Sequence, residues 1–241
     1  MGPGFTVDAS NGVTSAVMIA LVAIAAAVVV AGAVRYYRAE QERLARVRAL
    51  VDSRGWVYTP RDDSLAERLT TRPFGGGDER EAREIITGSR EGRPFQAFRY
   101  VVIDHSRDSK GRRTTTRTDH QVVWIPLARA LPVLRLSPDD GLQRLLTGLG
   151  WGDVDTESHA FNQRWRVSAR DDAYAHAVLA PHVIEELLRR EWWGATLVIE
   201  GAVLALVRTG RPDLSTLDAS LDRLEALVGL IPPFVLADYG S

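Results

Sequence analysis

From Val13 to Val34 the chain runs for 22 residues without a formal charge, built from Ala, Val, Ile, Leu and Met with few interruptions. At ~1.5 Å per residue a helix of that length reaches roughly 33 Å, enough to cross a hydrocarbon core of about 30 Å. Thr14, Ser15 and Gly32 fit such a span, because hydroxyls bond back to their own helix and small residues are frequent there. A buried core helix is normally shorter and broken by polar positions. A secretory signal needs positive charge ahead of its apolar stretch, and the only charge before Val13 is Asp8. The stretch therefore reads as an uncleaved transmembrane helix over residues 13–34, with the lipid bilayer as its partner.

Flanking charge sets the direction of crossing. Arg35, Arg38, Arg43, Arg46 and Arg48 follow the span, against Glu40 and Glu42, and basic residues close to a span stay on the cytoplasmic side. The expectation is a single-pass protein of the cell membrane with its N-terminus outside. Residues 1–12 form a short non-cytoplasmic tail and the soluble domain is cytoplasmic. Residues 35–52 continue as a juxtamembrane helix, with Tyr36 and Tyr37 at interfacial depth. Its weak stripe of Leu44, Val47 and Val51 packs on the domain or serves a protein partner or self-association.

The rest, residues 53–236 with a C-terminal tail at 237–241, is long enough for one sizeable core. Basic and acidic residues nearly cancel, 30 against 31, so no global field points to nucleic acid and none is expected as a partner. Lys110 is the sole lysine among the basic residues, a bias of GC-rich genomes more than of binding. The chain has no cysteine, which removes disulfides, thiolate chemistry and Cys-ligated metals.

Pattern and punctuation predict an α+β fold with a mainly antiparallel sheet and packed helices. Trp56–Thr59, Ile85–Ser89, Pro94–Asp104, His120–Ile125 and Leu131–Leu136 read as strands, rich in β-branched and aromatic residues. Phe161–Ser168 alternates cleanly and reads as another, and Thr196–Ile199 with Ala202–Val207 reads as a hairpin around Glu200-Gly201. Asp63–Leu69 is expected as a brief helix and Pro73–Gly77 as a flexible loop, followed by a capping box of Asp78 and Glu81. Helices are expected from Pro138 (with Leu142, Leu145, Leu146 and Leu149), from Asp171 or Asp172, from Pro181 and from Pro212-Asp213. The most basic patch is the hairpin tip carrying Arg107, Lys110, Arg112, Arg113 and Arg117.

The run Phe161–Ser168, then Asp171–Ala175 and Leu179-Ala180-Pro181, resembles a family of one-span actinobacterial proteins, similar in turn to a bacterial domain of unknown function. Ile86-Thr87-Gly88, Gly92 and Phe95–Tyr100 fit the same pattern, so the resemblance covers roughly residues 50–210. It implies the anchor-plus-domain layout and no catalytic residue.

No constellation of chemistry stands out. His105, His120, His159, His176 and His182 lack metal-site spacing. Ser168, Asp171 and His176 lack a nucleophile elbow. Asp153, Asp155 and Glu157 lack the calcium-loop pattern. The triple glycine at 75–77 stands outside any phosphate-loop motif. Neither a catalytic, cofactor-binding or metal-binding residue nor a cofactor is assigned. The reading is a membrane-anchored cytoplasmic interaction or scaffold module, the alternative an accessory subunit of a larger membrane protein complex. An unrecognised enzyme comes third.

Overall fold

The structure, a computed structural model, describes residues 9–107, 109, 111–138 and 152–241. The chain divides into two compact units, Met1–Leu50 and Val51–Ser241. Helix α1 (Ala9–Ser53) is continuous over 45 residues. Between Ala20 and Ser53 it carries an apolar window of which 0% is buried by the rest of the chain. Leu21, Val22, Ile24, Val28, Val29 and Val30 are all exposed. An apolar surface of that extent is unstable in water and suited to lipid. The protein is thus one N-terminal membrane-spanning helix followed by a soluble domain of antiparallel sheet and packed helices.

The end of α1 has a local cause. Gly55 takes φ +66°, its N–H donates to Asp52 O at 3.2 Å, and Trp56 N–H donates to Val51 O at 2.9 Å. Glycine enters that left-handed region without a Cβ penalty, which closes the last turn and releases the chain into the first strand.

Among the described residues seven antiparallel strands form one sheet. In chain order they are β1 (Val57–Arg61), β2 (Glu79–Arg90), β3 (Arg93–Arg107), β4 (Arg113–Pro138), β5 (Gly152–Asp153), β6 (Trp165–Ala169) and β7 (Ala195–Thr209). The β2–β3 turn is two residues, Glu91 at φ +52° and Gly92 at φ +81°, the twist that tight hairpins favour. The spine is β4, 26 residues long. Its first half lies between β3 and β7 (Trp124 opposite Gln96 and Ala205), and its second half between β6 and β7 (Arg135 opposite Ser168 and Val198). Leu131–Leu136, expected as a strand of its own, is the second half of β4. The register breaks between Pro126 and Leu131, in a segment bounded by prolines that have no N–H to give the ladder. There Ala130 exchanges both backbone bonds with Ser241, at 3.2 and 3.0 Å.

Helices cover one face of the spine: α4 (Asp172–Val178), α5 (Pro181–Leu187), α6 (Leu217–Leu230) and α7 (Pro233–Asp238). Val178, Leu179, Val183, Leu187, Leu227 and Ile231 meet Leu134, Leu136, Leu197, Ile199 and Leu204 around a void of about 20 Å³. Pro181 opens α5 and the Asp171 carboxylate caps α4 by accepting from Tyr174 N–H, as the sequence predicts. The opposite face is covered by α2 (Ser64–Glu67) and the segment after it. Leu65, Leu69 and Phe74 are buried with Ile85, Phe98, Tyr100, Trp124 and Val198.

Several local expectations are corrected. Pro73–Gly77 is not a flexible loop. Phe74 is fully buried, its ring 5.1 Å from that of Tyr100, and Tyr100 Oη donates to Phe74 O at 2.6 Å. Asp78 and Glu81 cap no helix, because β2 begins at Glu79; Asp78 accepts instead from His105 N–H at 2.7 Å. The strand expected over Phe161–Ser168 starts only at Trp165. Ser158 accepts from Phe161 N–H and caps a short helix, α3 (His159–Asn162), that claims Phe161. The expected hairpin at Glu200-Gly201 is one continuous strand, β7, with Gly201 at φ +58° opposite the irregular stretch of β4. Pro138, expected to open a helix, is the last residue of β4, paired with Trp165; Leu142, Leu145, Leu146 and Leu149 lie outside the described residues, as does Lys110.

Candidate functional site

The residues that drew attention in the sequence are distributed, and most have local structural work. His105 contacts Thr115 Oγ1 through Nδ1 at 3.1 Å and Glu79 through Nε2 at 3.2 Å, across strands β3, β4 and β2. His159 Nε2 meets Gln163 one helical turn on, and His182 Nε2 sits 2.7 Å from Leu230 O at the end of α6. Burial lowers the pKa of His120 against the opposing pull of Asp119. Ser168 sits on β6 opposite Arg135, while Asp171 is engaged by Tyr174 N–H at 3.1 Å. Among the described residues no group of three or more His, Cys, Asp or Glu side chains is arranged to hold a metal ion.

Charged side chains are concentrated in ion-pair networks that fix the hairpins. Glu81 receives Arg83 at 2.8 Å, Arg117 at 2.6 Å and Arg61 at 3.4 Å. Its bond with Arg83, aided by the other two charges, lowers its pKa in spite of burial. Arg99 joins Asp119 at 2.7 Å and Glu84 at 3.4 Å. Glu84 itself stands at φ +53° inside a register shift of β2, so the bulge is what turns its carboxylate toward Arg99. Arg54 forms a two-pronged pair with Asp218 on α6, which lowers the Asp218 pKa, and Arg90 pairs with Asp222 beside it.

Glu200 closes the layer that carries Phe74. Its carboxylate accepts from Thr70 N–H at 2.9 Å, Thr71 N–H at 3.0 Å and Thr70 Oγ1 at 2.7 Å. Burial works to raise its pKa, but these donors overrule it and the net shift is downward.

One surface concavity combines apolar walls with cations. A pocket of about 230 Å³ is lined by Pro138, Gln163, Arg164, Trp165, Trp192, Trp193 and Gly194. Two of the indoles are locked: Trp165 Nε1 donates to Leu187 O at 3.0 Å, and Trp192 Nε1 donates to Glu186 Oε1 at 3.2 Å. Trp193 is different, 46% exposed, with the Arg164 and Arg190 guanidinium carbons 4.5 and 5.3 Å from its ring centre. Gly194 at φ +70° ends the turn that presents it. An exposed indole flanked by guanidiniums, of which Arg164 Nη1 is held by Leu188 O at 3.0 Å, offers apolar area and cation–π attraction, chemistry that is enriched at protein interfaces. In the sequence Trp192-Trp193-Gly194 reads only as a helix stop. The available signal was the doubled tryptophan: the core takes Trp192, which is fully buried, and leaves its neighbour Trp193 outside.

No known protein family's profile matches the chain, and no curated protein matches it. Its fold is similar to that in the crystal structure of the mycobacterial trehalose monomycolate transport factor A, TtfA. The TM-score is 0.54 at 12% sequence identity, over 78% of this chain and 96% of that one. At that identity the likeness is one of fold. The family resemblance read from Phe161–Pro181 and Ile86–Tyr100 has no matching family profile, and the structural likeness does not extend to those motifs.

Proposed function

We propose that this protein is a membrane-tethered accessory subunit of a larger membrane protein complex, acting in a transport-related context. The observation that carries the proposal is the apolar window of α1, left wholly uncovered by the chain itself, joined to a domain whose fold is similar to that of a protein named as a transport factor. The soluble domain faces the cytoplasm in this reading, on the strength of the five arginines from Arg35 to Arg48. The Trp193 pocket is the partner-facing surface. An accessory role asks for a docking surface and a fixed location, and the ion-pair networks and capped helices supply a rigid frame for both.

Affinity purification from native membranes in mild detergent tests this. A membrane protein should co-purify in stoichiometric amount, survive replacement of residues 13–34 by an unrelated apolar span, and be lost with Trp193→Ala. Recovery of the chain alone, or only with further copies of itself, refutes the accessory reading and leaves a free-standing module. Protease added to intact spheroplasts checks orientation: the domain must resist until the membrane is broken.

A further inference from the structure

Backbone carbonyls at the end of α5 and in the connection to β7 are held by side-chain donors from other elements. Trp165 Nε1 donates to Leu187 O at 3.0 Å, and Arg164 Nη1 donates to Leu188 O at 3.0 Å. The last carbonyls of a helix have no partner within it, which accounts for this pair. Arg208, on β7, serves two more: Nη2 donates to Glu191 O at 2.6 Å and Nη1 to Trp193 O at 2.9 Å. Those carbonyls lie beyond α5, within and just after a 3-10 turn (Arg190–Trp192). The fork of Arg208 therefore grips the turn on both sides of Trp192.

The turn has little else to fix it. Trp192 N–H reaches Arg189 O at 3.3 Å and Trp193 N–H reaches Arg190 O at 3.0 Å, single bonds of the 3-10 kind, whose geometry is poorer than that of an α-helix. Arg208 is well placed to supply the rest. It stands opposite Gln121 in the long β4–β7 ladder, and its planar guanidinium offers two donors in fixed geometry. Arg54, Arg83, Arg90, Arg99 and Arg117 meet carboxylates, whereas Arg208 directs both Nη groups to main chain. Burial, then the charge of Arg223, lowers its pKa, a cost that the two carbonyls offset.

What the grip presents is Trp193. Trp165 and Trp192 are buried, each with its indole N–H bonded inside the domain. Trp193 is exposed, on backbone held at its own carbonyl and at that of Glu191. A side chain carried on fixed backbone loses less freedom on contact, which is how preorganisation raises affinity. We infer, on the docking role proposed for the Trp193 pocket, that Arg208 is the positioning residue of that surface: its fork holds the indole in the orientation a partner meets. Arg208 does not line the pocket, so it acts through the turn rather than by touching the partner.

The test uses the full chain in mild detergent, labelled with fluorotryptophan, with Trp193→Phe identifying the Trp193 fluorine resonance. Arg208→Gln should shift or broaden that resonance and leave those of Trp56, Trp124 and Trp165 in place. Hydrogen exchange at the Trp192 and Trp193 amides should quicken about tenfold or more, the loss of at least one charge-assisted bond. Arg208→Lys, which keeps the charge and loses the fork, should show the same change at smaller size. A Trp193 resonance unchanged in both variants overturns the inference, and so do resonances that all move together, the mark of a residue that only supports the fold. Affinity purification from native membranes adds the partner. Its recovery should fall about tenfold in Arg208→Gln, and adding that change to Trp193→Ala should lower recovery no further, since both act through one contact. A partner retained by Trp193→Ala overturns the docking reading and this inference with it. A partner lost by Trp193→Ala but retained by both Arg208 variants overturns the inference alone.

Discussion

Replacing Glu200 with alanine removes the acceptor for three donors that hold residues 70–71 against β7. A hydrogen bond to a charged group contributes about 1.5–3 kcal/mol, but these sites are partly solvated and share one carboxylate, so the three together are worth about 2–3 kcal/mol. At about 2–4 °C per kcal/mol for a domain of this size, that is a fall in midpoint of roughly 5–10 °C. Glu200→Gln should lose about half as much, because its carbonyl oxygen still accepts while its NH₂ faces donors. Tryptophan fluorescence during urea unfolding of the full chain in detergent reads the domain alone, since all six tryptophans lie at or beyond Trp56 and α1 has none. The sign with pH follows from the lowered pKa of Glu200. Its stabilisation is complete above the unfolded glutamate value of about 4.3 and is lost as pH falls through the lower folded value. The gap between wild type and Glu200→Gln must therefore close in acid. An alanine variant within about 0.5 kcal/mol of wild type, the scatter of ordinary surface changes, refutes the clamp. So does a gap that stays constant into strong acid.

Three further outcomes are expected. A Cβ on Gly75 lies 1.9 Å from Thr70 O, whereas one on Gly76 meets nothing nearer than 3.5 Å; Gly75→Ala should destabilise by about 1–3 kcal/mol, and Gly76→Ala, by comparison, little, in the same urea assay. Asp171→Ala removes the α4 cap and should cost about 1 kcal/mol, with Asp171→Asn or Ser recovering most of it. His120, whose folded pKa is lowered by burial, is protonated more readily in the unfolded chain. Its contribution is complete above about pH 6.5 and declines as pH falls, so His120→Gln should flatten the stability profile between about pH 7 and 5.

The anchor was legible because the length of one apolar run and the charges beside it separate a span from a core helix and from a secretory signal. Most strands were legible for a similar reason, in β-branched and aromatic runs such as Phe95–Ile103. What failed depended on distant partners. Pro73-Phe74-Gly75-Gly76-Gly77 carries every local mark of a mobile loop, and only Tyr100 and the sheet beneath it make Phe74 a buried plug. Glu200-Gly201 has the chemistry of a hairpin turn, yet continuous pairing with β4 turns the glycine into a kink within one strand. Phe161 is the local exception: it continues the alternation of β6 on paper, and the cap at Ser158, three residues before it, takes it into a helix. The Trp193 pocket has no spacing signature, since it needs the turn at Gly194.

The pairing of β4 with β7 also has a consequence for how the protein is made. The two strands are separated by about 57 residues from Pro138 to Ala195, which a ribosome takes roughly 3–11 s to add. Throughout that interval α1 is already available for membrane insertion, and β4 waits for β7 with one edge of its first half unmatched, its second half lacking β6 as well until that strand is made. The domain therefore completes its fold late and beside a bilayer, with a long strand edge open to wrong partners. Proline at 126 and 132, which interrupts that edge, is as useful to the unfinished chain as to the finished sheet.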